Sequence, residues 1–257
     1  MSRVRTIAAA AGLAALLAPP VPAATYDLLA MKVSDNAPAT GSAGRIDPYL
    51  GWTGTGGFNV GVAGATSLAS NGVDYKDPVV DTSWADVLSV RVSMYSAGAE
   101  VAFIEFDASG TTKTDFFAPG NVLASSWTDL ATAEDYRYFS IPGHVEEDRH
   151  WFVHRQYGGC SNDAGWMVVR DGGASDACDC MNDRSGAGLS DRAFLYSAAD
   201  TAITYSSAEA DLATADVFAV HVEVSGTPPV VPGPAPAVLL VSGLAALGAL
   251  RRRSGRG

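Results

Sequence analysis

The stretch Ser89-Val90-Arg91-Val92-Ser93-Met94-Tyr95-Ser96-Ala97-Gly98-Ala99-Glu100-Val101-Ala102-Phe103-Ile104-Glu105-Phe106-Asp107 decides the fold class. Val90, Val92 and Met94 alternate with Ser89, Arg91 and Ser93. That period of two marks a strand with one face buried. Ser96-Ala97-Gly98 supplies a turn. Beyond it Ala102, Ile104 and Phe106 face one way while Val101, Phe103 and Glu105 face the other. Two such runs joined by a short glycine-containing turn read as a β-hairpin.

The same pattern extends outward from this hairpin. Further strands are expected over residues 26–33, 136–141, 150–157 and 165–170. A last one is expected where Phe218, Val220, Val222 and Val224 alternate with Ala219, His221 and Glu223. Few stretches carry a 3.6-residue apolar period, and residues 206–215 are the one short helix expected. Gly51, Gly54, Gly56, Gly57, Gly61 and Gly64 crowd one segment. Such density predicts a loop or bulged edge strands rather than a buried helix. Short strands separated by Gly, Asp, Ser and Asn turns make the chain mainly β, a single antiparallel β-sandwich or jelly-roll-like domain.

The two ends read as addresses. Arg3 and Arg5 precede an apolar run that ends at Pro19, Pro20 and Pro22, with Val21 and Ala23 at the −3 and −1 places of a cleavage after Ala23. A positive start, a short apolar core and a small-x-small exit define a secretory signal peptide, here a signal helix over residues 1–23. The exported domain is then 24–226. Residues 227–234, rich in proline, cannot form a helix or a central strand and read as a stiff spacer. Residues 235–250 are apolar or small except Ser242 and are followed by Arg251, Arg252, Arg253 and Arg256. At 1.5 Å per residue this transmembrane helix is about 24 Å long. Snorkelling arginines and a thin bilayer accommodate that length. The basic tail, residues 251–257, stays inside, so the domain faces outward.

A proline motif, a short apolar helix and a terminal basic cluster, in that order, resemble the PEP-CTERM sorting signal of exopolysaccharide-producing Gram-negative bacteria. Here the motif reads Val231-Pro232-Gly233-Pro234-Ala235. It is similar to the Val-Pro-Leu-Pro-Ala variant, with Gly233 in place of Leu. The resemblance implies an exosortase-type processing enzyme as partner. It also implies an inner-membrane anchored precursor, retained by Arg251, Arg252 and Arg253, that is passed to the cell surface or the extracellular matrix.

Residues 24–226 hold all 28 acidic residues but 11 Lys and Arg, a net charge of −17. Such a surface repels nucleic acid and anionic membranes. Asp outnumbers Glu 21 to 7, which fits a loop-rich β domain. No cofactor is read from the sequence. The Asp excess makes calcium the one candidate, although no loop with calcium-ligand spacing is present.

Cys160, Cys178 and Cys180 are the three cysteines. In an exported chain they should be oxidised. A Cys178–Cys180 bridge would close a strained ring. One disulfide from Cys160 to Cys178 or Cys180 is therefore expected, worth about 3 kcal/mol in the chain-entropy model, with one thiol left over.

No nucleophile elbow and no phosphate loop occurs. His150 and His154 flank a likely strand and are expected on the surface or in a turn. Glu146, Glu147 and Asp148 are expected in a solvated loop after Pro142-Gly143, and no catalytic residue is assigned. The function expected is a non-enzymatic surface or extracellular-matrix protein associated with exopolysaccharide or biofilm. A carbohydrate-binding, calcium-dependent module is the alternative, with Trp52, Trp84, Trp127, Trp151 and Trp166 as stacking candidates. A secreted hydrolase is the third reading.

Overall fold

The computed structural model describes residues 25–35, 45–82, 84–158, 162–171, 192–205 and 210–225. The segment expected as a signal peptide, the three cysteines, the expected sorting motif and the basic cluster lie outside these residues. Among the described residues, no helix is long and apolar enough to cross a membrane.

The hairpin is as read. Strands β3 (Val87–Ser96) and β4 (Ala99–Asp107) pair antiparallel around Ala97 and Gly98. Both turn residues have positive φ, 51° and 82°, the geometry whose twist matches paired strands. Strand β12 (Val217–Ser225) lies beside β3, and β1 (Thr25–Ser34) lies beside β12. The edges are β2 (Tyr75–Lys76) and β5 (Val122–Ser125). This first sheet runs β2-β1-β12-β3-β4-β5. The first and last strands are thus neighbours, with Thr25 opposite Ser225.

The second sheet contains β6 (Tyr138–Ser140), β7 (Arg149–Gln156), β8 (Ala164–Arg170), β9 (Ala193–Ser197) and β11 (Leu212–Ala215) in the order β11-β9-β8-β7-β6. β10 (Ile203–Thr204) also pairs with β8. All pairings in both sheets are antiparallel. The sheets share one core. Phe218 of the first meets Trp151 and Phe194 of the second at ring-centroid distances of 5.2 and 6.2 Å, and Phe106 meets Phe139 at 6.1 Å.

The two sheets differ in what covers their outer faces. The outer face of β3, β4 and β12 is polar around Arg91, Glu105 and Glu223, with a small apolar cluster of Tyr95, Val217 and Ala219 at one end, so alternation is visible in the sequence. The outer face of the second sheet carries its own apolar cluster of Phe152, Val168, Leu195, Tyr205 and Leu212. Its central strands are consequently buried on both faces. Strands covered on both sides lose the period-two signal.

Three expectations are corrected. Within the segment expected as a short helix, residues 212–215 form β11, paired with β9. The glycine-rich segment begins inside a helix, α1 (Pro48–Thr53), that buries Trp52. Asp47 caps it, its Oδ1 accepting from the Tyr49 and Leu50 amides at 2.8 and 2.7 Å, with Pro48 at the first helical position. Such a cap and proline start a helix despite the glycines that follow. His150 and His154 are buried, not superficial. Strand register slips between His150 and Val153 and Trp151 takes φ 46°, so the simple alternation from 150 to 154 does not hold.

A buried ionic seam ties the ends of the two sheets. Arg192 donates from Nε to Asp171 Oδ1 at 2.6 Å and from one terminal nitrogen to Asp74 Oδ2 at 2.9 Å and the Ser34 carbonyl at 3.0 Å. Arg45 donates to the same Asp171 oxygen at 2.9 Å. Asp74 also accepts from the Ser34 and Ile46 amides, both at 2.8 Å.

Candidate functional site

The outer face of the first sheet holds an open groove of about 420 Å³. Cross-strand register builds it row by row. Asp27 of β1 is opposite Glu223 of β12, which is opposite Ser89 of β3. One step along, His221 is opposite Arg91, which is opposite Glu105 of β4. At the far end Tyr95 is opposite Glu100.

Glu100 reaches this face through a bulge. Pairing steps from Met94–Ala102 to Tyr95–Glu100 and leaves Val101 as the extra residue. Regular alternation from Ala102 would have sent Glu100 to the core side. A bulge of this kind re-aims a side chain.

The groove is internally wired. Arg91 grips Glu100 with two nitrogens, at 3.0 and 2.7 Å, and Glu105 with the third at 2.9 Å. Its guanidinium carbon lies 3.5 Å from the centroid of the Phe103 ring, a cation–π contact. Ser93 Oγ donates to Glu100 at 2.6 Å and Ser89 Oγ donates to Glu223 at 3.1 Å. Burial pushes the Glu100 carboxyl up, but the hydrogen bonds from Arg91 and Ser93 outweigh it and hold the pKa below the usual range. Burial pushes the His221 imidazole down, and the nearby Glu100 and Asp27 offset this only in part. His221 is therefore neutral at pH 7. Tyr95 packs edge-on against it at 6.2 Å.

The tryptophans are not part of this face. Trp52, Trp127, Trp151 and Trp166 are core residues. Each indole N–H has a protein acceptor: the carbonyls of Lys113, Ser197 and Pro48, and Asp129 Oδ1. Trp84 is half-buried, edge-on to Trp52 at 6.1 Å. None of the four buried indoles offers a face to a sugar.

Glu146 and Glu147 lie in a single 3₁₀ turn over Val145–Glu147, and Asp148 ends it in the left-handed region. His144, at its start, hydrogen-bonds the Tyr157 hydroxyl through Nδ1 at 2.9 Å. His150 Nδ1 bonds the Pro142 carbonyl at 2.8 Å, and its ring stacks on Tyr49 at 5.0 Å. These contacts are structural. Among the described residues no three His, Cys, Asp or Glu side chains stand together so as to hold a metal ion. A second hollow of about 220 Å³ lies beside Arg192, Asp35 and Asp216, but the Arg192 guanidinium is already engaged by the ionic seam.

Sequence reasoning found the strands that carry the groove but not the groove. Arg91, Glu105, His221 and Glu223 were visible as outward-facing positions; their meeting across strands needed the register.

The chain matches no protein-family model, and no curated protein and no solved structure is significantly similar to it.

Proposed function

We propose that this chain is an exported, membrane-sorted surface or matrix protein that works without catalysis and meets exopolysaccharide through the groove on its first sheet. In this reading the described strands form a single jelly-roll-like sandwich between a cleaved leader and a C-terminal sorting tail with the motif Val231–Ala235, the apolar helix and Arg251–Arg253. An exosortase-type enzyme would process that tail.

The observation that carries the binding half is the groove itself, a polar recess on four neighbouring strands. Small-ligand sites of about 300–1,000 Å³ with a few convergent polar groups are the usual pattern, and the recess is of that size. Its position also suits a tethered domain. Thr25 and Ser225 are register partners, and Asp27 and Glu223 lie two residues further in. The leader and the spacer would therefore join the domain at one end, beside one mouth of the groove.

A hydrolase reading finds less support. A glycosidase needs a carboxyl kept protonated near neutral pH. Glu100 is held the other way by Arg91 and Ser93.

The natural protein in its host tests the reading. Its mature form should start near Ala24 and lack Arg251–Arg253, and it should co-sediment with the host's exopolysaccharide. A protein that keeps both ends and stays in the cell with no polysaccharide association would overturn it.

A further inference from the structure

We infer that Asn71 is a self-modifying site: in the folded protein the Gly72 amide nitrogen displaces ammonia from the Asn71 side chain, and water then leaves an aspartate that pairs with the buried ammonium of Lys32.

The observation behind this is a buried charge that touches no countercharge. Lys32 of β1 lies opposite Ala219 and Tyr75 and is 0% exposed. Its Nζ donates to Asn71 Oδ1 at 2.7 Å and to the Val73 carbonyl at 2.6 Å. Both acceptors are neutral. The buried cations Arg45, Lys76 and Arg192 each touch a carboxylate. Lys32 touches none among the described residues. A fully buried lysine is almost always paired. Burial pushes the Lys32 ammonium down from its usual range, and the more distant Asp74 opposes that only in part. A carboxylate at position 71 would supply the missing partner at an atom already in contact.

The same contacts prepare the reaction. Asn71 is exposed, so water reaches it. Its Oδ1 takes two donors, the Lys32 ammonium and the Val73 N–H at 3.2 Å. These are aimed at the oxygen that gains negative charge when Cγ becomes tetrahedral, which is the arrangement of an oxyanion hole. Nδ2 donates to the Gly64 carbonyl at 2.6 Å, a bond that strengthens as that nitrogen gains the proton with which it leaves. The nucleophile is the next residue. Gly72, at φ 71°, has no side chain to shield its nitrogen, and its N–H donates to no described residue.

In the first step the Gly72 N–Cγ bond forms and the Cγ–Nδ2 bond breaks. The Gly72 proton reaches the departing nitrogen through solvent, and ammonia leaves a five-membered succinimide. In the second step water adds at Cγ, the N–Cγ bond breaks and Gly72 regains its proton. The carboxylate remains, and the last proton goes to ammonia. Opening the ring at its other carbonyl would give isoaspartate. Lys32 and Val73 hold the Cγ oxygen, so they direct water to Cγ and the product is ordinary aspartate.

Ageing the purified full-length protein in detergent at mildly alkaline pH, followed by peptide mapping, tests this against an unstructured peptide of residues 66–78. Asn71 should convert with the mass change of NH exchanged for O. Aspartate should outnumber isoaspartate in the protein, and isoaspartate should predominate in the peptide. Lys32→Met should slow conversion about tenfold, the scale of one charge-assisted hydrogen bond, and shift the product toward isoaspartate. Asn71→Asp needs no reaction and tests the pairing by itself: it should melt about 2–4 °C above the unaged protein. If Lys32→Met does not fold, the product ratio and Asn71→Asp decide. Asn71 left intact when the peptide has fully converted would overturn the modification, as would a product that is mainly isoaspartate. Unchanged rate and product in folded Lys32→Met would overturn the role of Lys32. An Asn71→Asp variant that melts no higher would overturn the pairing.

Discussion

The imidazole of His154 occupies the space that a side chain at Gly165 would fill. A Cβ at Gly165 would lie 2.4 Å from His154 Cδ2 and 2.6 Å from the Val153 carbonyl oxygen. The two residues are cross-strand partners in β7 and β8. Phe152 and Tyr205 complete the surroundings, with ring centroids 4.2 and 4.3 Å from His154. One contact is with backbone, so the neighbour cannot simply swing away. Gly165→Ala should cost about 1–3 kcal/mol, the usual penalty for overpacking. Urea denaturation checks it, and an unchanged midpoint would mean that the ring has another place to go.

The same imidazole should make the protein acid-sensitive. Burial, then the nearby Arg149 charge, pushes the His154 pKa down to about 3. In the unfolded chain it returns to about 6.5. The unfolded state therefore binds the proton first, and stability present above about pH 6.5 is lost progressively as pH falls toward 3. By pH 4 this single group accounts for about 3 kcal/mol. His154→Leu should flatten the stability profile between pH 4 and 6.5 relative to the natural protein. A parallel profile would show that the carboxylates, not His154, set the slope.

Arg192 should be the least replaceable charge among the described residues. It bridges Asp74 and Asp171 within the ionic seam, with its side chain fully buried. Burial already pushes the Asp171 carboxyl up, and Arg192 and Arg45 are what oppose that. Removing one partner of a buried pair costs about 3–5 kcal/mol, since it strands the other charge. Arg192→Ala should therefore lower the urea midpoint sharply. Arg192→Lys should recover only part of the loss, because an ammonium on a flexible stem cannot reproduce the planar fork. Full recovery with Lys would mean that charge alone matters there.

The strands of the first sheet were legible because one of their faces meets solvent. Val90, Val92 and Met94 go inward while Ser89 and Arg91 go outward, and nothing else competes with that signal. The second sheet was less legible because Phe152, Leu195 and Tyr205 cover its outer side. Buried on both faces, His150 and His154 gave no periodic clue and were misplaced at the surface. The strand at residues 193–197 was not foreseen for the same reason. The start of α1 was available in Asp47-Pro48, a cap followed by a proline, but the glycines after it dominated the reading. The groove depended on two things that no local pattern reports: the register between strands distant in sequence, such as Asp27 with Glu223, and the bulge at Val101 that turns Glu100 outward. Asp74, Asp171 and Arg192 lie far apart along the chain, and only the fold brings them together.

The β3–β4 hairpin also offers a stabilising change. Ala97 sits at φ 51° in the turn between β3 and β4. A left-handed conformation costs a residue with a Cβ about 1–2 kcal/mol, and only glycine, Asn and Asp adopt it readily. Gly98 already supplies the second such position, so Ala97→Asn would complete the Asn-Gly pair favoured in two-residue hairpin turns. Ala97 is exposed, and its amide donates to Asp216 Oδ2 at 3.0 Å, a contact that Asn retains. The variant should gain about 0.5–1 kcal/mol and melt at a higher temperature. Ala97→Val, β-branched at a left-handed position, should melt lower. If Asn and Val shifted the melting temperature equally, the turn conformation would not be what limits this hairpin.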